Sequence, residues 1–273
     1  MALRDEIKAA ADYLRTRTKL EPEVGIILGT GMGAMAHEVE SDVVIEYSDI
    51  PHFPVSTVES HAGKLHLGTL MGKRVFMMQG RFHFYEGYSM QQVTFPVRVM
   101  RALGAKTLIV MNAVGSMNGL IPPGSLVLVR DHINLMGDNP LIGPNDDDLG
   151  PRFPDMSEPY SRELIALAEQ VALDRRIPNV HRGVMVSVTG PNLETAAEYR
   201  MFQRIGADIV TMSTVPEVIV AVHSSMRVLG ISTVTDSCLP DALHAASLED
   251  ILKVAGEAEP RLTALVKGIL EKL

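Results

Sequence analysis

Cysteine is nearly absent from this chain: of 273 residues only Cys238 carries a thiol. That excludes an intrachain disulfide framework and any zinc site built on paired cysteines, and leaves a small buried residue as the expected role for the lone thiol. Positive charge is in deficit, with a formal net charge of −8. A general nucleic-acid binder would be repelled by the phosphate backbone at that balance, whereas a local basic pocket for one small anion is compatible with it. The 9 histidines show no HExxH or comparable spacing, so no metal site is expected. Apolar stretches of membrane-spanning length are missing. The amino end, Leu3 to Thr16, is charged and spaces Leu3, Ile7 and Leu14 along one helical face instead of forming the apolar core of a secretory signal. No domain linker, internal repeat or low-complexity tract is visible. A soluble cytoplasmic protein with neither nucleic acid nor membrane as partner is the expectation.

What remains is ordinary globular composition, 46% hydrophobic and 21% charged, on a chain long enough for a large core. Strand-like apolar runs occur at Val24–Leu28, Val43–Tyr47, Leu65–Leu70, Val75–Met78, Leu108–Met111, Leu126–Val129, Val184–Val188, Ile209–Met212 and Val228–Thr235. Helical patterns lie among them at about Met90–Leu103, Arg162–Arg175, Thr195–Ile205 and Val215–Met226. This alternation predicts an α/β fold, a single domain over residues 1–273 with a central sheet flanked by helices. The runs Leu65–Leu70 and Val75–Met78, joined by Met71-Gly72-Lys73-Arg74, read as a hairpin, so the sheet is expected to be mixed. A last helix is signalled by the capping-box pattern Ser247-Leu248-Glu249-Asp250 and by the buried-face period of Leu262, Leu265, Val266, Ile269, Leu270 and Leu273, with Pro260 expected to kink or split it. From Asn139 to Ser161, five prolines interrupt any regular element, and long loops in compact domains often carry function.

Chemistry concentrates where strands end. After Val75–Met78 the chain reads QGRFHFYEG, and in an extended continuation Arg81, His83 and Tyr85 leave one face. A fixed cation, an imidazole and a phenol on one surface suit phosphate beside a sugar or a base. Gly29-Thr30-Gly31-Met32-Gly33-Ala34 follows the first strand, where backbone N–H groups can approach an anion and Thr30 adds a hydroxyl. The same spacing satisfies a relaxed dinucleotide fingerprint with Glu46 as a ribose acid, but only Ala34 to Glu40 remain for a crossover helix. A nicotinamide-dependent oxidoreductase is therefore the rival reading, and a non-catalytic nucleoside-binding protein a third. At Ser213-Thr214-Val215-Pro216-Glu217, Thr214 and Glu217 read as a capping box, which leaves Ser213 at a helix N-terminus for a ligand. At Leu193-Glu194-Thr195, Thr195 and Glu198 cap a helix and Glu194 is left at the mouth of the sheet, able to accept from the N–H edge of a purine.

LGTGMG at 28–33, SHAGKL at 60–65, MMQGRFHFYEGY at 77–88, NAVGSMN at 112–118, RFPDMS at 152–157, GPNLET at 190–195, MSTVPEVIVA at 212–221 and the pair Thr235-Asp236 together resemble the trimeric purine nucleoside phosphorylases and their relatives, the 5′-methylthioadenosine phosphorylases. The resemblance covers nearly the whole chain and is closer to the purine nucleoside phosphorylases. It implies the nucleoside phosphorylase fold and the reversible, phosphate-dependent cleavage of guanosine, inosine and their deoxy forms to free base and (deoxy)ribose 1-phosphate, in purine salvage. It implies no cofactor, inorganic phosphate being a co-substrate, and it implies a homotrimer. Carried over by position, phosphate would be held by Thr30, His61, Arg81, His83, Ala113 and Ser213. The nucleoside would meet Tyr85, Leu193, Glu194, Val210, Met212 and Asp236 above a floor of Asn112 and Ala113, and Phe153 would reach a neighbouring subunit's sugar site. Glu194, Asp236 and His83 would be catalytic.

The chain departs from the family pattern in the base-reading positions. Asp236 stands where 6-oxopurine-specific members carry asparagine and methylthioadenosine enzymes carry aspartate, while Glu194 is kept as in the 6-oxopurine enzymes. Leu248 aligns loosely with the histidine near the sugar 5′-hydroxyl, and SCLPDALHAAS, including His244, follows neither pattern. A methylthioadenosine or methylthioinosine phosphorylase is accordingly the alternative activity.

Overall fold

The computed structural model describes residues 2–57 and 62–273. Its strands are β1 (Val24–Ile27), β2 (Glu40–Glu46), β3 (Lys64–Leu70), β4 (Lys73–Gln79), β5 (Thr107–Ser116), β6 (Leu126–Asn134), β7 (Val180–Ser187), β8 (Ile209–Thr211) and β9 (Arg227–Ser237). All nine apolar runs read from the sequence became strands. They form one mixed sheet in the order β2-β3-β4-β1-β5-β8-β7-β6-β9, and β9 also pairs with β5. Strands β5, β8, β7, β6 and β9 therefore close into a ring, while β1 to β4 extend from it as an open sheet.

Strands β4, β1, β5 and β9 run parallel to one another, as do β6, β7 and β8. The two parallel sets meet antiparallel at β5–β8 and at β6–β9. The β3–β4 hairpin turns on two residues only, Met71 and Gly72, both at positive φ (51° and 78°), because β4 already begins at Lys73. A two-residue turn of this hand matches the twist of the strands it joins.

Helices α1 (Leu3–Arg17), α2 (Met90–Ala102), α3 (Arg162–Asp174), α4 (Ala196–Arg204), α5 (Val215–His223) and α6 (Leu248–Lys272) flank the sheet. α2 packs against α1 and α5, and α6 packs against β9 and α3. Pro260 does not split α6, which runs unbroken past it. The ring lies on the exposed side, where water can reach the carbonyl it leaves without a partner, while Ala258, Leu262, Leu265 and Ile269 hold the opposite face against the core. Residues 139–160 contain no helix or strand, as their prolines suggested. Among the described residues no helix is long and apolar enough to cross a membrane.

Candidate active site

The carboxyl ends of β4, β1, β5 and β9 open on the same side of the sheet, where α/β folds place their ligands. A cavity of about 200 Å³ lies there, lined from β1 through Thr30, from the segment after β4 through Arg81, His83 and Tyr85, and from β5 through Asn112 and Ala113. The other side is made by Leu193, Glu194 and Tyr199, by Val210, Met212 and Ser213, and by Asp236 and Cys238 at the end of β9, with Leu248 of α6 at the rim. Gly29 is what lets the β1 loop approach β5, since a Cβ there would stand 2.7 Å from the Asn112 Cα. The loop then enters a 3₁₀ helix, Gly33–Glu38, instead of an α-helix. Glu46 lies on edge strand β2, separated from β1 by both β3 and β4, and pairs with Lys64. The dinucleotide reading therefore loses both its crossover helix and its acid.

One end of the cavity centres on Arg81. The sequence suggested that strand β4 continues through this residue, but Gly80 turns the chain at φ 103° and residues 84–86 form a 3₁₀ turn. Arg81, His83 and Tyr85 still reach one cavity, brought there by the turn and not by strand alternation. Arg81 is 1% exposed. Its Nη1 donates to the Met111 carbonyl at 2.9 Å and to Ser213 Oγ and Thr214 Oγ1 at 3.1 Å each, and its Nε donates to Glu217 Oε1 at 3.1 Å. The expected Thr214–Glu217 capping box is absent: Thr214 stands at φ 71° with no side-chain cap bond, and both side chains turn to the guanidinium. A charge-assisted bond to a buried cation outcompetes a bond to one helix N–H. Pro216 does sit in the first turn of α5, as expected.

Behind Ser213 runs a chain of buried hydroxyls and amides. Ser213 Oγ lies 3.3 Å from Thr211 Oγ1, which accepts from Asn112 Nδ2 at 3.0 Å, while Asn112 Oδ1 accepts from Ser232 at 2.7 Å. His83 is fixed from the other direction: its Nδ1 lies 3.1 Å from Glu86 Oε1, and its ring stacks on Tyr85 with centroids 4.6 Å apart. Burial alone would raise the Glu86 carboxyl, but bonds from His83 and from the Thr57 hydroxyl and amide outweigh it and hold the group down at about 2. Burial, with the Glu86 charge beside it, pushes the Tyr85 phenol up to about 12, so it stays a hydroxyl.

The opposite end carries two carboxylates. Glu194 follows β7 just before the Thr195–Glu198 capping box, which forms as predicted. Burial raises its pKa, the nearby Tyr199 hydroxyl works against that rise, and the charge of Asp236 adds to it. Asp236 accepts from Thr235 Oγ1 at 2.9 Å and from Cys238 Sγ at 3.0 Å. Leu193 is half exposed at the rim, and Val210 and Met212 supply apolar wall.

Among the described residues one expected site residue is not brought into this cavity. His61 lies outside the described residues. Phe153, 87% exposed, lines a separate groove with His132, Leu141 and Met156. Sequence reading missed Glu86 and Glu217, which orient His83 and Arg81, and Tyr199 and Cys238, which face the cavity. Cys238 is small and buried as expected, yet it touches Asp236. The spacing of Glu86 from His83, which forms a capping box here, was a usable signal, whereas no local pattern joins Arg81 to Glu217 across 136 positions.

Comparison with known proteins bears on this geometry. Residues 23–271 match the family model described as the phosphorylase superfamily. The chain is 51% identical over 268 residues to purine nucleoside phosphorylase 1 of Bacillus subtilis (strain 168), covering 98% of each. Among solved structures it matches isoform 2 of purine nucleoside phosphorylase from Schistosoma mansoni, in complex with cytosine and ribose-1-phosphate, with TM-score 0.94 and 39% identity over 98% of this chain and 96% of that one. A schistosoma purine nucleoside phosphorylase in complex with hypoxanthine matches with TM-score 0.93 and 40% identity over 98% and 97%.

Proposed function

The chain belongs to the phosphorylase superfamily, and from that premise we propose that it is a purine nucleoside phosphorylase of purine salvage, cleaving guanosine and inosine with phosphate to free base and ribose 1-phosphate, reversibly. The observation that carries the reading is the meeting of Thr30, Arg81, His83 and Ser213, from separate segments, at one end of a cavity whose other end holds Glu194 and Asp236. Phosphate lies among the first four, with the Ala113 backbone beside it and His61 as a further donor. Ribose rests against Tyr85 and Met212, and the base lies against Leu193 and Val210 between the two carboxyl groups.

The chemistry follows from that placement. A phosphate oxygen forms a bond to the anomeric carbon as the glycosidic bond breaks, and the bonding pair leaves with the purine. The sugar passes through an oxocarbenium-like state between an anion held by Arg81 and a base that gains negative charge. Hydrogen bonds from the base end to that purine strengthen as the charge develops, so preorganised positioning and electrostatics supply the acceleration. No cofactor enters the step. Phe153, on the proline-rich loop, completes the sugar site of a neighbouring subunit in a homotrimer, and the enzyme works in the cytoplasm. Leu248 at the rim supports a second reading, in which a 5′-methylthio group is accepted.

The test is incubation with guanosine or inosine with and without phosphate. Release of free base only when phosphate is present is expected, and equal turnover in phosphate-free buffer would identify a hydrolase. A strong preference for 5′-methylthioadenosine in competition would favour the second reading, and tight binding of NAD(H) would revive the oxidoreductase.

A further inference from the structure

The turn that presents Thr30 is held from outside itself. Thr30 stands between Gly29 and Gly31, the latter at φ 75°, where the backbone is freest to move. A bond from the Met32 N–H to the Gly29 carbonyl, at 3.2 Å, closes the turn. The 3₁₀ helix that follows starts without a cap of its own, because Met32 at the N-cap position makes no side-chain bond. From α6, Glu259 Oε1 accepts from the Met35 N–H at 3.0 Å, the bond an N-cap side chain would ordinarily make. One helical turn earlier on the same face of α6, Ala255 closes against Gly31, where a Cβ would come within 2.5 Å of the alanine methyl. From the end of β4, Gln79 Nε2 donates to the Gly33 carbonyl at 2.9 Å. With its amide nitrogen committed there, Gln79 Oε1 faces His66 Nε2 at 3.1 Å and accepts from it, and His66 Nδ1 lies 3.2 Å from Ser41 Oγ. Burial lowers the His66 pKa, which keeps the ring neutral and this direction of donation in place.

We propose that Gln79 and Glu259 are positioning residues for phosphate, clamping the glycine-rich turn from the sheet on one side and from α6 on the other so that Thr30 meets the anion. The inference rests on the proposed placing of phosphate among Thr30, Arg81, His83 and Ser213. Within that set the support differs. Arg81 and Ser213 hold each other at 3.1 Å in a buried network, whereas Thr30 belongs to a turn flanked by glycines. A hydroxyl favours an oxyanion only where it already stands at hydrogen-bond distance, so losing either clamp lets the turn drift and weakens the contact. Neither Gln79 nor Glu259 lines the cavity, and both act through Thr30. Glu259 is the cleaner probe, because it is remote from Arg81 in the chain while Gln79 is two residues away.

Steady-state kinetics in phosphate and in guanosine separate this role from general packing. Glu259→Leu and Gln79→Leu should each raise the KM for phosphate by roughly three- to tenfold, the weight of one hydrogen bond. The KM for guanosine and kcat at saturating phosphate should change little. Gln79→Glu keeps the acceptor for His66 but loses the donor to Gly33, and should raise the phosphate KM at least as far as Gln79→Leu. Glu259→Gln keeps an acceptor for Met35 and should recover most of the affinity lost in Glu259→Leu. Combined with Thr30→Ala, Glu259→Leu should add nothing to the phosphate KM of Thr30→Ala alone. Equal rises in both KM values, or additive losses in the double variant, would overturn the clamp. If Thr30→Ala raises the phosphate KM while the Gln79 and Glu259 variants do not, the clamp alone fails. If Thr30→Ala also leaves it unmoved, the placing of phosphate at Thr30 fails with it.

Discussion

At one end of the cavity Arg81 donates to four acceptors from two separate segments, and every one of those partners is itself buried or part of the β5 backbone. At the other end Asp236 accepts from two neighbours within two residues of itself, and Glu194 sits on a loop between half-exposed and exposed residues. The first arrangement tolerates one geometry only, because a buried cation without its partners is costly. The second rests on short-range contacts and a partly exposed loop, which constrain it less. The contrast matches the two ligands: inorganic phosphate never varies, whereas the purine edge does.

The largest expected effect comes from breaking the rigid end. Glu217→Ala leaves the Arg81 guanidinium buried without its carboxylate, which should cost about 3–5 kcal/mol in denaturant unfolding and raise the KM for phosphate. Glu217→Gln, which keeps an acceptor, should cost clearly less. A variant as stable as the wild type would remove the claim that this end is locked by the ion pair.

At the flexible end, Glu194→Ala should lower kcat/KM by one to two decades on guanosine, since a hydrogen-bonded charge on the base is worth ~1.5–3 kcal/mol. It should leave stability nearly unchanged, and steady-state kinetics beside a thermal melt measure both. Near wild-type turnover would reduce Glu194 to a charge at a helix N-terminus. Asp236→Asn should raise the preference for guanosine over adenosine by about tenfold, equivalent to ~1.4 kcal/mol.

The smallest effect concerns the support of His83. Glu86 has a pKa lowered from 4.5 to about 2 in the folded protein. A depressed carboxyl stabilises the fold above its unfolded value, and that contribution is lost as pH falls from about 4.5 toward 2. Glu86→Gln should therefore lose stability at neutral pH and show a shallower decline over that acid window, as thermal melts at several pH values would register.

Much of this was legible because local patterns carried it. Nine apolar runs, a glycine-rich turn and the Thr195–Glu198 cap each follow from short-range chemistry, and the segments bearing Thr30, Arg81, Glu194 and Ser213 stood out at strand ends. What was hidden depends on distance. Thr214 and Glu217 have the spacing of a cap, and only the arrival of Arg81 from 136 positions away redirects them. Nothing near Gln79 announces that Gly80 ends the strand, since glycine also occurs within strands. Tyr199 reads as one more buried face of α4 and Cys238 as a small core residue until β9 sets one beside the other. The closing of the ring by β5 and β9 is likewise a contact between remote segments that no periodicity encodes.

That closure has a consequence for how the molecule comes into being. Thr107 of β5 pairs with Arg227 of β9, about 120 residues later in the chain. At ordinary rates of synthesis, β5 waits on the order of ten seconds for this partner after it leaves the ribosome. During that interval an apolar strand, Leu108–Met111, keeps one side of its hydrogen-bonding ladder open, the condition under which nascent chains pair wrongly with one another. Asp236 and Cys238 arrive with the same late strand, so a half-made chain holds the arginine of the site without the residues that read the base. The enzyme has no partially competent precursor, and its yield in a cell will depend on what shelters β5 while the chain between it and β9 is made.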